Sequence, residues 1–247
     1  GDMPATIYAR GTNGLVYEQV ILPVPNLTEE ELLLLPYYTT LIPEVGCGEL
    51  DYLQMQDRIS AESGGISASF SAKGQIDDVQ DLEGYIVFNG KALARNREAL
   101  TRLLNDVFNG ARFDEKERVR ELIAQIRSRR EQAVTGSGHA LAMGAASQGI
   151  SAGAWLSFRL GGLEAIRGVK SLDKSLSDPV ELDSLCERLA ALHERIRNQS
   201  RQFLLIGEEE QLDPMLTELK AVWGDSGAGE GAAWKLEPVS YQTRQAW

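Results

Sequence analysis

The feature that most constrains this chain is the run from Pro36 to Ala72, which reads PYYTTLIPEVGCGELDY over residues 36–52 and DRISAESGGISASFSA over 57–72. An apolar helix runs into the Gly46-Cys47-Gly48 turn, a second helix follows, and Gly64-Gly65 opens a strictly alternating segment. Ile66, Ala68, Phe70 and Ala72 fall on one side of that segment, and Ser67, Ser69 and Ser71 on the other. Alternation with period two is the mark of a strand with one buried face and one polar face. Such strands belong to sheets covered by helices on one side and open on the other.

The flanking segments fit that plan. Residues 14–24, GLVYEQVILPV, are β-branched and partly alternating, as a strand requires. Thr28 precedes a Glu-rich first turn and so serves as a helix N-cap. Leu32 to Leu35 supply the apolar content of that helix, and Pro36 and Pro43 are expected to break or bend it. Leu50 to Ile59 form the next helix, with Leu53 and Ile59 inward. Residues 84–89, GYIVFN, read as a strand, and Leu93, Leu100, Leu103, Leu104, Val107 and Phe108 recur at helical spacing. Asp114 with Glu117 three residues on resembles a capping box for the helix carrying Val119, Leu122, Ile123 and Ile126.

Residues 136–170 are rich in Gly, Ala and Ser, which predicts closely packed helices. Asp178-Pro179 starts another helix, striped by Leu182, Leu185, Leu189, Leu192 and Ile196. RQFLLIGE (201–208) is a short buried strand, and Met215, Leu216, Leu219 and Val222 mark a last helix. The order predicts an α+β fold: a mostly antiparallel sheet with helices packed on one face.

The ends suggest a piece of a longer protein. Residues 1–4 are expected to be an N-terminal scar or extension, 5–223 the α+β domain, and 224–247 a linker (GDSGAGEGA) and the start of a following domain. With 247 residues the chain can bury a sizeable core. A net charge of −11 argues against nucleic acid, whose phosphates need a basic surface, and suits basic peptides. No run of about 18 apolar residues exists, so no membrane span is expected, and no signal peptide is visible. Cys47 and Cys186 cannot build a disulfide framework, which predicts a reducing, cytoplasmic setting. The sequons at Asn26 and Asn198 then carry no sugar.

No residue pattern signals catalysis. His139 reads as a packing or surface residue, and His193 as a solvated helix position. The fragment LHERIRN lacks the second His of a zincin helix. TGSGHALAMG (135–144) lacks the Gly-Lys-Ser/Thr ending of a phosphate loop, and neither GSG at 136–138 nor GGIS at 64–67 makes a nucleophile elbow. The mixed charges of 114–131 describe a solvated face.

Three stretches carry a resemblance: TNGLVYEQVILPVPNLTEEELLLLPYYTTLIPEVGCGELDY (12–52), RISAESGGISASFSAKG (58–74) and SGHALAMGAASQGISAGAWLSFRLGGLEAIRGV (137–169). Together they resemble the pitrilysin-type (M16) zinc peptidases, most of all the presequence-protease branch. In that family the ligand helix reads H-x-x-E-H ahead of a Gly-Thr or Gly-Ser turn. Counting back from Gly46-Cys47 puts Tyr37 and Leu41 at the two His positions and Thr40 at the Glu position. Tyr and Leu offer no imidazole, and Thr is no general base for activating water. A later ligand carboxylate would come from 114–131, where Glu115, Glu117 and Glu121 read as ordinary surface charges.

The resemblance therefore implies the third of four similar α+β domains, one without catalytic or metal-binding residues. Zinc would sit in the parent's N-terminal domain, and no cofactor in this piece. Its partners would be the other domains of the same chain and an oligopeptide substrate. Ser67, Ser69 and Ser71 would form part of the substrate-chamber wall. The alternative is a peptide-binding or assembly module of an inactive homologue.

Overall fold

The computed structural model describes residues 4–74, 77–78 and 80–224. The segment 225–247 and residues 1–3, expected as linker, following domain and extension, lie outside the described residues. In chain order the elements are β1 (Ala5–Ala9), β2 (Leu15–Pro23), α1 (Glu29–Leu41), α2 (Tyr52–Glu62), β3 (Ile66–Gly74), β4 (Leu82–Leu93), α3 (Arg97–Gly110), α4 (Lys116–Gly136), α5 (Gly138–Ser147), α6 (Ala152–Gly161), α7 (Leu163–Ser175), α8 (Pro179–Arg197), β5 (Gln202–Gly207) and α9 (Glu209–Trp223).

The strands form a five-stranded sheet in the order β1-β5-β2-β4-β3. Three ladders are antiparallel, and β1 pairs with β5 in parallel. The fold is α+β, as the element order predicts. The sequence pattern gives no sign of β1, whose five residues ATIYA show no alternation and depend on β5 for their pairing.

Val16, Val20 and Leu22 on β2, Ile86, Phe88 and Ala92 on β4, and Phe203 and Leu205 on β5 all turn to one face and are almost completely buried. Helices α3 and α9 close that face with aromatic contacts. Phe88 meets Phe108 edge-on at 5.4 Å, and Trp223 lies 5.5 Å from Phe108 and 5.2 Å from Phe203. Tilted and edge-on pairs are the favoured ring geometries. The opposite face, with Tyr17, Gln19, Val87, Asn89, Leu204 and the β3 serines, is half-buried or exposed.

Helix α1 begins as the sequence predicts. Thr28 accepts from the Glu31 N–H while Glu31 accepts from the Thr28 N–H, a complete capping box. Pro36 does not break it. The helix continues to Leu41 because Leu32, Leu34, Leu35, Tyr37, Tyr38 and Leu41 are all buried around it, so packing outweighs the missing backbone bond.

Other expectations are corrected. Leu53 is 60% exposed and Met55 is buried in its place, beside Ile59. The capping box at Asp114 and Glu117 does not form; Asp114 instead pairs with Arg112 at 2.6 Å. No residue of α5 is buried, so close packing in the Gly/Ala-rich region is confined to α6 and α7. His193 is not solvated: it is 3% exposed and bonds the Tyr38 hydroxyl through Nδ1 at 2.9 Å.

Candidate functional site

Of the three positions counted back from the turn at Gly46, Thr40 alone lines a cavity at the β3 edge of the sheet. This cavity, of about 610 Å³, lies between the second half of α1, the edge strand β3, the end of α4 and α6. Thr39, Thr40, Phe70, Arg129, Arg130 and Ser157 are among the residues that line it. Tyr37 is buried beneath Arg130, whose guanidinium lies 5.5 Å from the ring centre. Burial raises the Tyr37 pKa, and Arg130 opposes the rise. Thr40 donates its hydroxyl to the Pro36 carbonyl at 2.8 Å, and Leu41 is fully buried.

These three side chains do not fit a zinc ion. A buried phenol, a hydroxyl already engaged with backbone and an aliphatic side chain supply none of the imidazole or carboxylate donors zinc needs. Among the described residues no group of three or more His, Cys, Asp or Glu is placed to hold a metal.

The turn itself is held by a residue whose role sequence reasoning missed. Glu115, expected to be an ordinary surface charge, accepts the Gly46 N–H at 2.8 Å and the Tyr52 N–H at 3.2 Å. It thereby satisfies the first N–H of α2 and ties the start of α4 to the turn. A side chain at 46 would collide with it, since a Cβ there would stand 2.3 Å from Glu115 Oε2. Gly48 has φ +56°, in the left-handed region that favours glycine. The signal available in the sequence was the bare-backbone Gly-x-Gly turn, whose N–H groups need an acceptor. Glu117 and Glu121 are exposed, and among the described residues they form ion pairs of 3.6 Å with Arg120 and Arg118.

The alternation of β3 is present: Ser67, Ser69 and Ser71 are exposed, and Ile66, Ala68, Phe70 and Ala72 are half-buried. Phe70 is thus not the closed core residue the pattern predicts, because β3 is an edge strand and its inner side opens on the cavity. On the open face Ser67, Ser69 and Ser71 stand beside Asn89, Val87 and Tyr85 of β4. A second hollow of about 330 Å³ on that face is bordered by Tyr17, Gln19, Ser67, Asn89 and Lys91.

Burial drives the Cys47 and Cys186 thiols up to about 11, which keeps them protonated and poor nucleophiles. Among the described residues, the exposed side chains of this sheet face are hydroxyls, amides and aromatic edges.

A family model described as associated with the peptidases of family M16, subfamily C, matches residues 1–172. The mitochondrial presequence protease of Danio rerio is 28% identical over 201 residues, which cover 80% of this chain and 19% of that protein. That of Gibberella zeae is 30% identical over 164 residues, 65% of this chain and 16% of the relative. The chain thus spans about a fifth of the length of the curated relatives it matches. Among solved structures, a conserved protein from Enterococcus faecalis V583 superposes with a TM-score of 0.59 at 9% identity, over 96% of this chain and 52% of that one. The periplasmic protease PqqL of Escherichia coli gives 0.51 at 12% identity, over 94% and 23%. At these identities the two structures speak for the fold alone. With a match over residues 1–172, the chain belongs to the family of domains associated with the subfamily C peptidases of M16.

Proposed function

We propose that this chain is a non-catalytic domain of a longer zinc-dependent, oligopeptide-degrading peptidase, and that its open sheet face forms part of the wall of the substrate chamber. The observation that carries the reading is a pairing of absence and offer. Counted from the Gly46 turn, the resemblance puts Tyr37, Thr40 and Leu41 at the family's ligand positions, and the serine face of β3 is exposed among the described residues. Hydroxyls and amides make a surface that water wets and that accommodates many peptide side chains. Zinc would be held in the parent's N-terminal domain, the domain's partners would be the other domains of the same chain, and the substrate an oligopeptide. Free, buried Cys47 and Cys186 suit a reducing compartment, the cytoplasm in our reading.

Metal analysis after dialysis, with a fluorogenic oligopeptide assay on the 247-residue chain and on its full-length parent, tests this. The chain should hold no stoichiometric zinc and leave the peptide intact, while the parent holds zinc and cleaves it in a chelator-sensitive way. One tightly held zinc per chain, or chelator-sensitive turnover by the chain alone, would overturn the assignment. A parent without zinc and without turnover would point to a peptide-binding or assembly module instead.

A further inference from the structure

Among the helices, a cavity of about 270 Å³ opens between α1, α4, α7 and α8. Leu33, Leu160 and Leu172 give it an apolar wall, and Tyr37 and Arg130 a polar one. Tyr37 is only 8% exposed. Its hydroxyl makes no hydrogen bond among the described residues, yet it is not one of the polar atoms sealed from solvent. Packing thus holds the ring while the hydroxyl stays open to the cavity.

Arg130 stands beside it, with its guanidinium 5.5 Å from the Tyr37 ring centre. Its Nη1 donates to the carbonyl of Ala165, another wall residue, at 3.3 Å. Its remaining N–H groups meet no acceptor among the described residues. Arg118, Arg120 and Arg127 of the same helix are each matched by a carboxylate, whereas Arg130 is not. Of the other charges in the wall, Arg159 and Glu164 pair at 2.7 Å, and Arg188 and Glu30 make no ion pair among the described residues. Arg130 and Arg188 against Glu30 leave an excess of one positive charge, in a chain whose net charge is −11. One excess positive charge matches a monoanion, and the leucines match an apolar body. The space is far larger than one water needs.

We propose that this cavity binds the carboxylate of a small apolar organic acid. The carboxylate would accept from the Arg130 guanidinium and from the Tyr37 hydroxyl, and the apolar body would lie against Leu33, Leu160 and Leu172. A guanidinium is the side chain best shaped for a carboxylate. Burial raises the Tyr37 pKa, which keeps the phenol a donor. The proposal does not rest on the peptidase reading, and its test needs only this chain.

The probe is 4-phenylbutyrate, titrated by calorimetry into the 247-residue chain while its contacts with leucine methyl groups are followed by NMR. It should bind and show contacts to the methyls of Leu160 and Leu172. Its uncharged amide, 4-phenylbutanamide, should bind at least about tenfold more weakly, the scale of one hydrogen bond to a charged group. Arg130→Gln should weaken the acid by a similar factor, and Tyr37→Phe, which keeps the ring, by about fivefold. Arg129→Gln removes the same charge one residue away from a side chain outside this wall and should leave binding unchanged. Circular dichroism checks that each variant is folded. A peptide C-terminus shares this chemistry with a free acid, so N-acetyl-glycyl-phenylalanine is titrated alongside. Tighter binding of the peptide would assign the site to a C-terminus, and weaker binding to a free acid. Failure of 4-phenylbutyrate to bind, equal binding of its amide, or a loss in Arg130→Gln no greater than in Arg129→Gln would each overturn the proposal.

Discussion

Glu18 projects from β2 into the helix-covered core with 1% of its surface exposed. Thr101 lies 2.6 Å from its Oε2, and the Trp223 indole approaches the carboxyl without closing a hydrogen bond. Burial raises its pKa from 4.5 to about 7, against the opposing pull of Thr101 and Trp223. The folded state thus prefers the neutral acid. Protonated Glu18 can donate to Thr101, whose hydroxyl lies 3.2 Å from the Arg97 carbonyl and can pass its own proton there. The stabilising contribution is complete below about pH 4.5 and is lost as pH rises through about 7. His193 acts with the opposite sign. Burial, with Arg197 nearby, lowers its pKa to about 4, so its contribution is present above about pH 6.5 and lost as pH falls toward 4. Between about pH 4.5 and 6.5 the two slopes offset each other. Glu18→Gln keeps a donor for Thr101 and removes the charge. At pH 8 it should stabilise the chain by up to about 3 kcal/mol, since the shift spans 4.5 to about 7. It should also uncover the loss of stability on acidification that His193 causes. Urea titrations at about pH 8 and about pH 5 measure both, one on each side of the Glu18 transition. A variant as unstable as the wild type at the higher pH would show that Glu18 is not a buried neutral acid.

Among the elements, those legible in the sequence are those specified locally. The capping box at Thr28 and Glu31, the Asp178-Pro179 start of α8 and the alternation of β3 each depend on residues a few positions apart, and all three are present. What could not be read depends on distant partners. β1 exists through β5, α1 passes through Pro36 because other elements bury it, and the role of Glu115 appears only when α4 reaches the Gly46 turn. His193 reads as solvated until Tyr38, 155 residues away in sequence, is seen to meet it. The same distinction governs the candidate site: the serines are visible as a pattern, but the cavity behind Phe70 is not. Glu115→Ala removes the acceptor for two backbone N–H groups and should cost about 2–3 kcal/mol, measurable by denaturant unfolding. A loss below about 0.5 kcal/mol would reduce Glu115 to an ordinary surface charge. Because Phe70 is half-buried, Phe70→Ala should cost about 2 kcal/mol, less than the roughly 3–5 kcal/mol of a closed core position. A cost of about 4 kcal/mol would mean that its ring is fully enclosed.

At the scale of the whole molecule, helices seal one face of the sheet through Phe88, Phe108, Phe203 and Trp223, and among the described residues the other face is half-buried or exposed. A sheet of this kind can serve as a wall without taking part in chemistry, which is the role we propose within a longer peptidase. The most direct measurement is kcat/KM of the full-length parent carrying Ser69→Trp, for a series of peptides of increasing length. Ser69 is exposed, so stability should change by no more than about 0.5 kcal/mol. If the serine face lines the chamber, cleavage of long peptides should fall about tenfold, equivalent to about 1.4 kcal/mol, while short peptides are cleaved as before. Unchanged cleavage at every length in a stably folded variant would contradict the chamber-wall role and leave the domain a scaffold.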